Sequence, residues 1–227
     1  MKPIIGTVGR VMKNEEGRTS VLSFEGVRKS VLRHGGIPIL ILPPQDVDYE
    51  NENPKLTDSE KEDLKTVIDM CDGIVMPGTC RLYEYDRFIY EYALEKDKPI
   101  LGICGGMQLI VLNDDINPSE SLDLIETGIE HNNSGYGYVH NVTIKKGTKL
   151  YDIIGEETIR VNSRHKRYVK SVNNLTVSAI SEDGLIEAVE YKDKKFVVGV
   201  QWHPEALTDI DEASNKLFEE FISVCKN

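Results

Sequence analysis

Cysteine is scarce in this chain of 227 residues, with Cys71, Cys80, Cys104 and Cys225 its four examples. They lie too far apart for a metal knuckle or a dense disulfide framework, so at least one is a candidate free thiol kept for chemistry. Positive charge is also in short supply: 27 Lys and Arg stand against 38 Asp and Glu, a formal net charge of −11. Such a surface repels phosphate backbones, and no nucleic-acid partner is expected. No apolar run approaches the roughly 18 residues that a membrane span requires, so no membrane partner is expected either. The start, Met1-Lys2-Pro3-Ile4-Ile5-Gly6, carries no signal-peptide pattern, and the expectation is a cytoplasmic protein.

What is present is an alternation of short branched runs with amphipathic ones, the mark of a parallel sheet covered by helices. Strands are expected at Ile4 to Val8, Ile37 to Leu42, Gly73 to Met76 and Pro99 to Ile103, and helices at about Thr19 to Arg33, around Leu64 to Ile68, at Tyr85 to Glu95 and from Met107. Polar residues 45 to 59 read as a surface loop able to overhang a site. The second half changes to short strands joined by turns, at Val139 to Ile144, Ile159 to Asn162, Leu175 to Ile180, Leu185 to Tyr191 and Phe196 to Val200, closed by a helix from Ile210 to Cys225. The expected fold class is α/β: one domain over residues 1 to 227, with a mixed, largely parallel central sheet flanked by helices in flavodoxin-like layers.

Gly102-Ile103-Cys104-Gly105-Gly106 follows an apolar strand and precedes a helix, the setting of a nucleophile elbow. A helix start favours the thiolate, and the Gly105 amide is placed to donate to an oxyanion. Pro77-Gly78-Thr79 supplies a second candidate donor at Gly78. Near the other end, Gln201-Trp202-His203-Pro204-Glu205 delivers a histidine to a rigid turn, with Glu205 close enough to orient its ring. His131, His140 and His165 are alternative partners for the thiol. The histidines show no metal-ligand spacing, and Gly105-Gly106 lacks the lysine and hydroxyl residue of a phosphate loop, so no cofactor and no metal are expected. The basic run Arg164-His165-Lys166-Arg167 reads as a solvated loop or as a cationic lip for an anionic group.

Met76-Pro77-Gly78, Ile100 to Gln108, Val161-Asn162-Ser163-Arg164-His165, Asp183 to Ala188 and Gly199 to Glu205 together resemble the class I glutamine amidotransferase superfamily, in its γ-glutamyl-γ-aminobutyrate hydrolase or peptidase C26 branch. The resemblance implies that Cys104, His203 and Glu205 form a catalytic triad, that Gly78 and Gly105 form the oxyanion hole, and that Gln108 and His165 bind substrate. The implied function is cysteine-dependent hydrolysis of γ-glutamyl amides in small metabolites, through a γ-glutamyl thioester. Two other readings stand beside it: a glutaminase subunit supplying ammonia to a separate synthetase, and a non-catalytic binding or regulatory protein that retains the fold. The amine moiety and the oligomeric state, homo-oligomer included, stay open. The sequence departs from the family pattern at Thr79, Lys166 and Arg167, and at Asn113 to Asn117.

Overall fold

A computed structural model describes residues 1–13, 15–114, 121–133, 135 and 137–226. Apolar runs without polar alternation build the parallel half of the sheet: β1 (Ile4–Val8), β4 (Ile37–Ile41), β5 (Gly73–Met76), β6 (Ile100–Ile103) and β13 (Val197–Val200). Every residue of the last three is buried, as expected of strands covered on both faces. They lie in the order β4-β1-β5-β6-β13, all neighbours parallel. The sheet then continues antiparallel through β12 (Ile186–Glu190), β11 (Thr176–Ser181), β8 (His140–Ile144) and β9 (Thr158–Val161). Two short strands, β7 (Leu122–Leu124) and β10 (Arg167–Val169), pair with each other, and β10 also pairs with β12. A single α/β domain with a mixed, largely parallel sheet results.

Strand alternation sorts the core into two layers. On one face Val75, Leu101, Val198 and Val200 pack with Val27 and Val31 of α1 (Glu25–Arg33), Leu150 and Ile154 of α5 (Lys149–Ile154), and Leu217, Phe218, Phe221 and Ile222 of α6 (Glu212–Val224). On the other, Ile74, Met76, Ile100 and Val197 meet Leu64 and Ile68 of α2 (Asp58–Asp69), Ile89 and Tyr90 of α3 (Glu84–Glu95), and Met107 and Ile110 of α4 (Gly105–Asp114). Each fully buried Leu, Ile or Phe contributes about 1.5–3 kcal/mol, so both layers anchor the strand ends that carry the site.

The expected helix from Thr19 to Arg33 is corrected: only Glu25–Arg33 is helical. Thr19–Leu22 is a strand, β3, paired antiparallel with β2 (Arg10–Lys13) in a separate two-stranded sheet. Thr19, Ser20 and Val21 favour the extended backbone, Gly17 supplies a left-handed residue at φ 77°, and Phe24 is still extended at ψ 131° before the helix begins. The helix α5, with the left-handed Gly155 after it, was hidden in a run too short for a periodic signal. The polar loop ahead of α2 is tied into the core by Tyr49, 6% exposed, whose ring meets Tyr83 and Tyr85 edge-on. The departure at Asn113 to Asn117 lies outside the described residues from residue 115 onward. No described helix is long and apolar enough to cross a membrane.

Candidate functional site

Cys104 stands at the carboxyl end of β6, where open α/β sheets place their ligands. Its backbone has φ 51°, a left-handed conformation that costs a non-glycine residue roughly 1–3 kcal/mol. The surroundings impose it: the Cys104 N–H donates to the Val200 carbonyl at 2.8 Å, and the Cys104 carbonyl accepts from the Gln108 N–H at 3.1 Å. Glycine is required next in the chain, because a Cβ on Gly106 would lie 1.9 Å from the Met76 carbonyl oxygen. One on Gly105 would lie 2.5 Å from the Thr79 carbonyl oxygen. Thr79 itself closes its loop through its hydroxyl, which donates to the Arg81 carbonyl at 2.6 Å and accepts from the Arg81 N–H at 3.1 Å.

His203 follows β13, the neighbour of β6, so adjacent strand ends bring Cys104 and His203 together. Their side chains are hydrogen-bonded, and His203 Nδ1 lies 2.7 Å from Glu205 Oε1. Burial disfavours the imidazolium, yet the Glu205 charge and the Cys104 and Glu205 hydrogen bonds outweigh it and push the His203 pKa up to about 10. His203 is therefore a cation at neutral pH. Gly78 abuts the same ring: a Cβ there would lie 2.9 Å from His203 Cε1 and 3.5 Å from Cys104 Cβ. The fully buried Asn162 was not singled out from sequence as a site residue. Its amide clamps the His203 backbone twice, accepting from the N–H at 2.8 Å and donating to the carbonyl at 2.9 Å. Its place in the Asn-Ser motif was the available signal.

Above Cys104 lies a cavity of about 590 Å³ whose walls include Leu82, Leu112, Gln108, His165, Lys166 and Arg167. Gln108 and His165 line it, but their polar atoms are engaged inward. The Gln108 side-chain amide donates to Gln201 Oε1 at 3.1 Å and to the Arg167 carbonyl at 3.4 Å. His165 is 4% exposed, with Nδ1 2.9 Å from the Arg167 carbonyl oxygen. Its other nitrogen points into a second centre.

That centre is formed by His131, His140, His165 and Glu187, all buried, with one ligand-type atom of each within 4.8 Å of all the others. Glu187 Oε1 lies 3.5 Å from His131 Nδ1, 3.9 Å from His140 Nε2 and 3.5 Å from His165 Nε2. The opposite nitrogen of His131 meets Asp183 Oδ2 at 3.0 Å. Burial opposes ionisation of Asp183, but hydrogen bonds from Ser181, Thr127 and His131 hold its pKa down to about 2. Burial also lowers the His131 pKa, with Asp183 and Glu187 opposing it. The residues come from four separate places in the chain, so no local spacing revealed them.

The chain matches the family model for peptidase C26 over residues 83–205. It belongs to the peptidase C26 family. Among relatives, the gamma-glutamyl-gamma-aminobutyrate hydrolase PuuD of Escherichia coli K12 is 28% identical across 99% of this chain and 94% of its own length. A Schizosaccharomyces pombe protein provisionally named a glutamine amidotransferase is 39% identical over 60% of this chain, which spans 54% of that relative's length. The fold is shared with the glutaminase domain of Trypanosoma brucei CTPS with bound acivicin, at TM-score 0.66 and 20% identity, covering 99% of this chain and 94% of that one.

Within this peptidase C26 chain the expected functional assignment is corrected. The reading as a γ-glutamyl amide hydrolase built around a cysteine nucleophile and a catalytic triad, acting through a thioester, treated Cys104 as the one centre of chemistry. Among the described residues, the buried cluster of close-set ionisable side chains is instead three histidines and a glutamate, with no cysteine among them. What membership carries is a glutamine amidotransferase-like fold with a general hydrolase-like or regulatory role, and the adjacency of Cys104, His203 and Glu205 is a matter of placement, separate from turnover.

Proposed function

We propose that this chain is a binding or regulatory member of the peptidase C26 family, one that retains the glutamine amidotransferase-like fold and receives a small anionic metabolite in the cleft over Cys104. The observation that carries this reading is the wall formed by Arg164, Lys166 and Arg167 on a cavity of about 590 Å³ that also has apolar lining at Leu82, Leu112 and Leu122. Lys166 and Arg167 are exposed on a chain whose net charge is −11, so the wall is a local reversal of sign that attracts a carboxylate. His203, cationic at neutral pH, adds positive charge beside Cys104. The names of relatives such as PuuD suggest a γ-glutamyl compound as the class of metabolite. The four unpaired thiols agree with a cytoplasmic setting.

Calorimetric titration of the purified chain with glutamate, glutamine and a γ-glutamyl amine tests this, with amine and ammonia release assayed in the same samples. Saturable binding that weakens about tenfold in Arg167→Ala is expected, the order of one charge-assisted hydrogen bond. Release should not exceed that of Cys104→Ala. Cys104-dependent release would overturn the regulatory reading, and the absence of any binding would overturn the cleft.

A further inference from the structure

We infer that His131, His140, His165 and Glu187 form a closed, tetrahedral site for a divalent ion of the zinc class. The cluster cannot be satisfied as a hydrogen-bond network. The separations from Glu187 Oε1 to the three rings, 3.5, 3.9 and 3.5 Å, exceed the N–H···O range of about 2.7–3.2 Å. His140 Nε2, His165 Nε2 and both Glu187 carboxylate oxygens are buried without a hydrogen-bond partner among the described residues. His131 Nδ1 has a long contact to Ser163 Oγ, at 3.4 Å. An ionised carboxylate left so in a buried setting would cost several kcal/mol. A cation at the centre removes that cost.

The separations suit such an ion. With metal–ligand bonds of about 2.0–2.1 Å, the corners of a tetrahedron stand about 3.3–3.4 Å apart, which small movements of these side chains reach. Each ring has its remaining nitrogen held by an oxygen: His131 Nε2 by Asp183 at 3.0 Å, His140 Nδ1 by the Asn141 carbonyl at 3.2 Å and His165 Nδ1 by the Arg167 carbonyl at 2.9 Å. Those contacts fix the tautomer that turns the lone pairs of His131 Nδ1, His140 Nε2 and His165 Nε2 toward Glu187. They are the outer partners that metal-bound imidazoles usually have. Three imidazoles and one carboxylate suit a borderline ion of the zinc class better than the all-oxygen sites of magnesium or calcium.

Four protein ligands leave no open position, so the site is structural. It joins the segment at His131, the first residue of β8, the connection between β9 and β10, and β12. The His165 N–H already donates to the His131 carbonyl at 2.8 Å, and Asn132 bridges to Arg164. The ion would thereby fix the connection that carries Arg164 to Arg167, the cationic wall of the cleft, whichever chemistry the cleft performs.

The test strips the full chain with a chelator and re-equilibrates it with Zn²⁺, or with Co²⁺ as a spectroscopic probe. One ion per chain, a cobalt spectrum of tetrahedral intensity, and slower amide exchange over residues 160–169 are expected. His140→Gln should lose at least tenfold in zinc affinity, while Cys104→Ala keeps the ion, which separates this site from the thiol beside His203. Stoichiometry well below one at excess zinc, an octahedral cobalt spectrum, or loss of the ion in Cys104→Ala would overturn the assignment. Where His140→Gln does not fold, wild-type stoichiometry and spectrum together with Cys104→Ala decide the matter.

Discussion

Replacing Asp86 by Ala would remove one half of a buried ion pair that braces the Cys104 cleft from behind. The Arg10 side chain is 3% exposed and that of Asp86 fully buried where the two pair. Asp86 Oδ2 also accepts from the Tyr83 N–H at 2.9 Å at the start of α3. Arg10 reaches on to the Pro77 carbonyl at 2.7 Å, so the pair links β2, α3 and the turn that presents Gly78. A guanidinium cannot shed its charge, so Asp86→Ala strands a cation in the interior, and breaking a pair this way costs about 3–5 kcal/mol. In a chain of this size each kcal/mol lowers the unfolding midpoint by roughly 2–4 °C, giving a fall of roughly 6–20 °C. Thermal unfolding followed by circular dichroism, with urea titrations to confirm an unchanged m-value, measures it. The double variant Arg10→Met/Asp86→Leu should regain most of the loss, since apolar replacement removes both desolvation costs. A fall under about 2 °C for Asp86→Ala, or a double variant less stable than the single one, would refute the reasoning.

Two further predictions concern the site. Gly106→Ala should abolish soluble folded protein, because its Cβ would sit 1.9 Å from a backbone oxygen, whereas Gly128→Ala, with nothing within 4 Å of its Cβ, should stay within about 0.5 kcal/mol of wild type; equal solubility of the two would contradict the packing described. The His203 pKa of about 10 in the folded chain lies above the unfolded value of about 6.5. The folded state thus holds a proton that the unfolded state has released between these pH values. The stability this supplies is complete below about pH 6.5, declines as pH rises and is gone above about pH 10. Urea unfolding of wild type and His203→Gln at pH 6, 8 and 10 should show their difference shrinking upward, and a difference independent of pH would count against the raised value.

Legibility in the sequence followed the distance over which each feature is encoded. The elbow at Cys104 was readable because strand, glycines and helix are consecutive. The turn from His203 to Glu205 was readable for the same reason, and the Nδ1 to Oε1 distance of 2.7 Å is set within three residues. The parallel strands announced themselves by unbroken branched runs. The β2–β3 hairpin did not, because Val21 and Phe24 also fit a helical stripe continuing into α1, and pairing with Arg10–Lys13 settled the choice for β3.

The α/β class, the family and the neighbourhood of Cys104 were all legible along the chain, since these rest on local periodicity and contiguous motifs. The gathering of His131, His140 and Glu187 around His165 came instead from the packing of the folded chain. Strand order places β12, β8 and the β9–β10 connection against one another, and burial makes their unsatisfied nitrogens and oxygens demand a partner. Neither the spatial order of strands nor the desolvation of a side chain is carried by the spacing of residues along the chain.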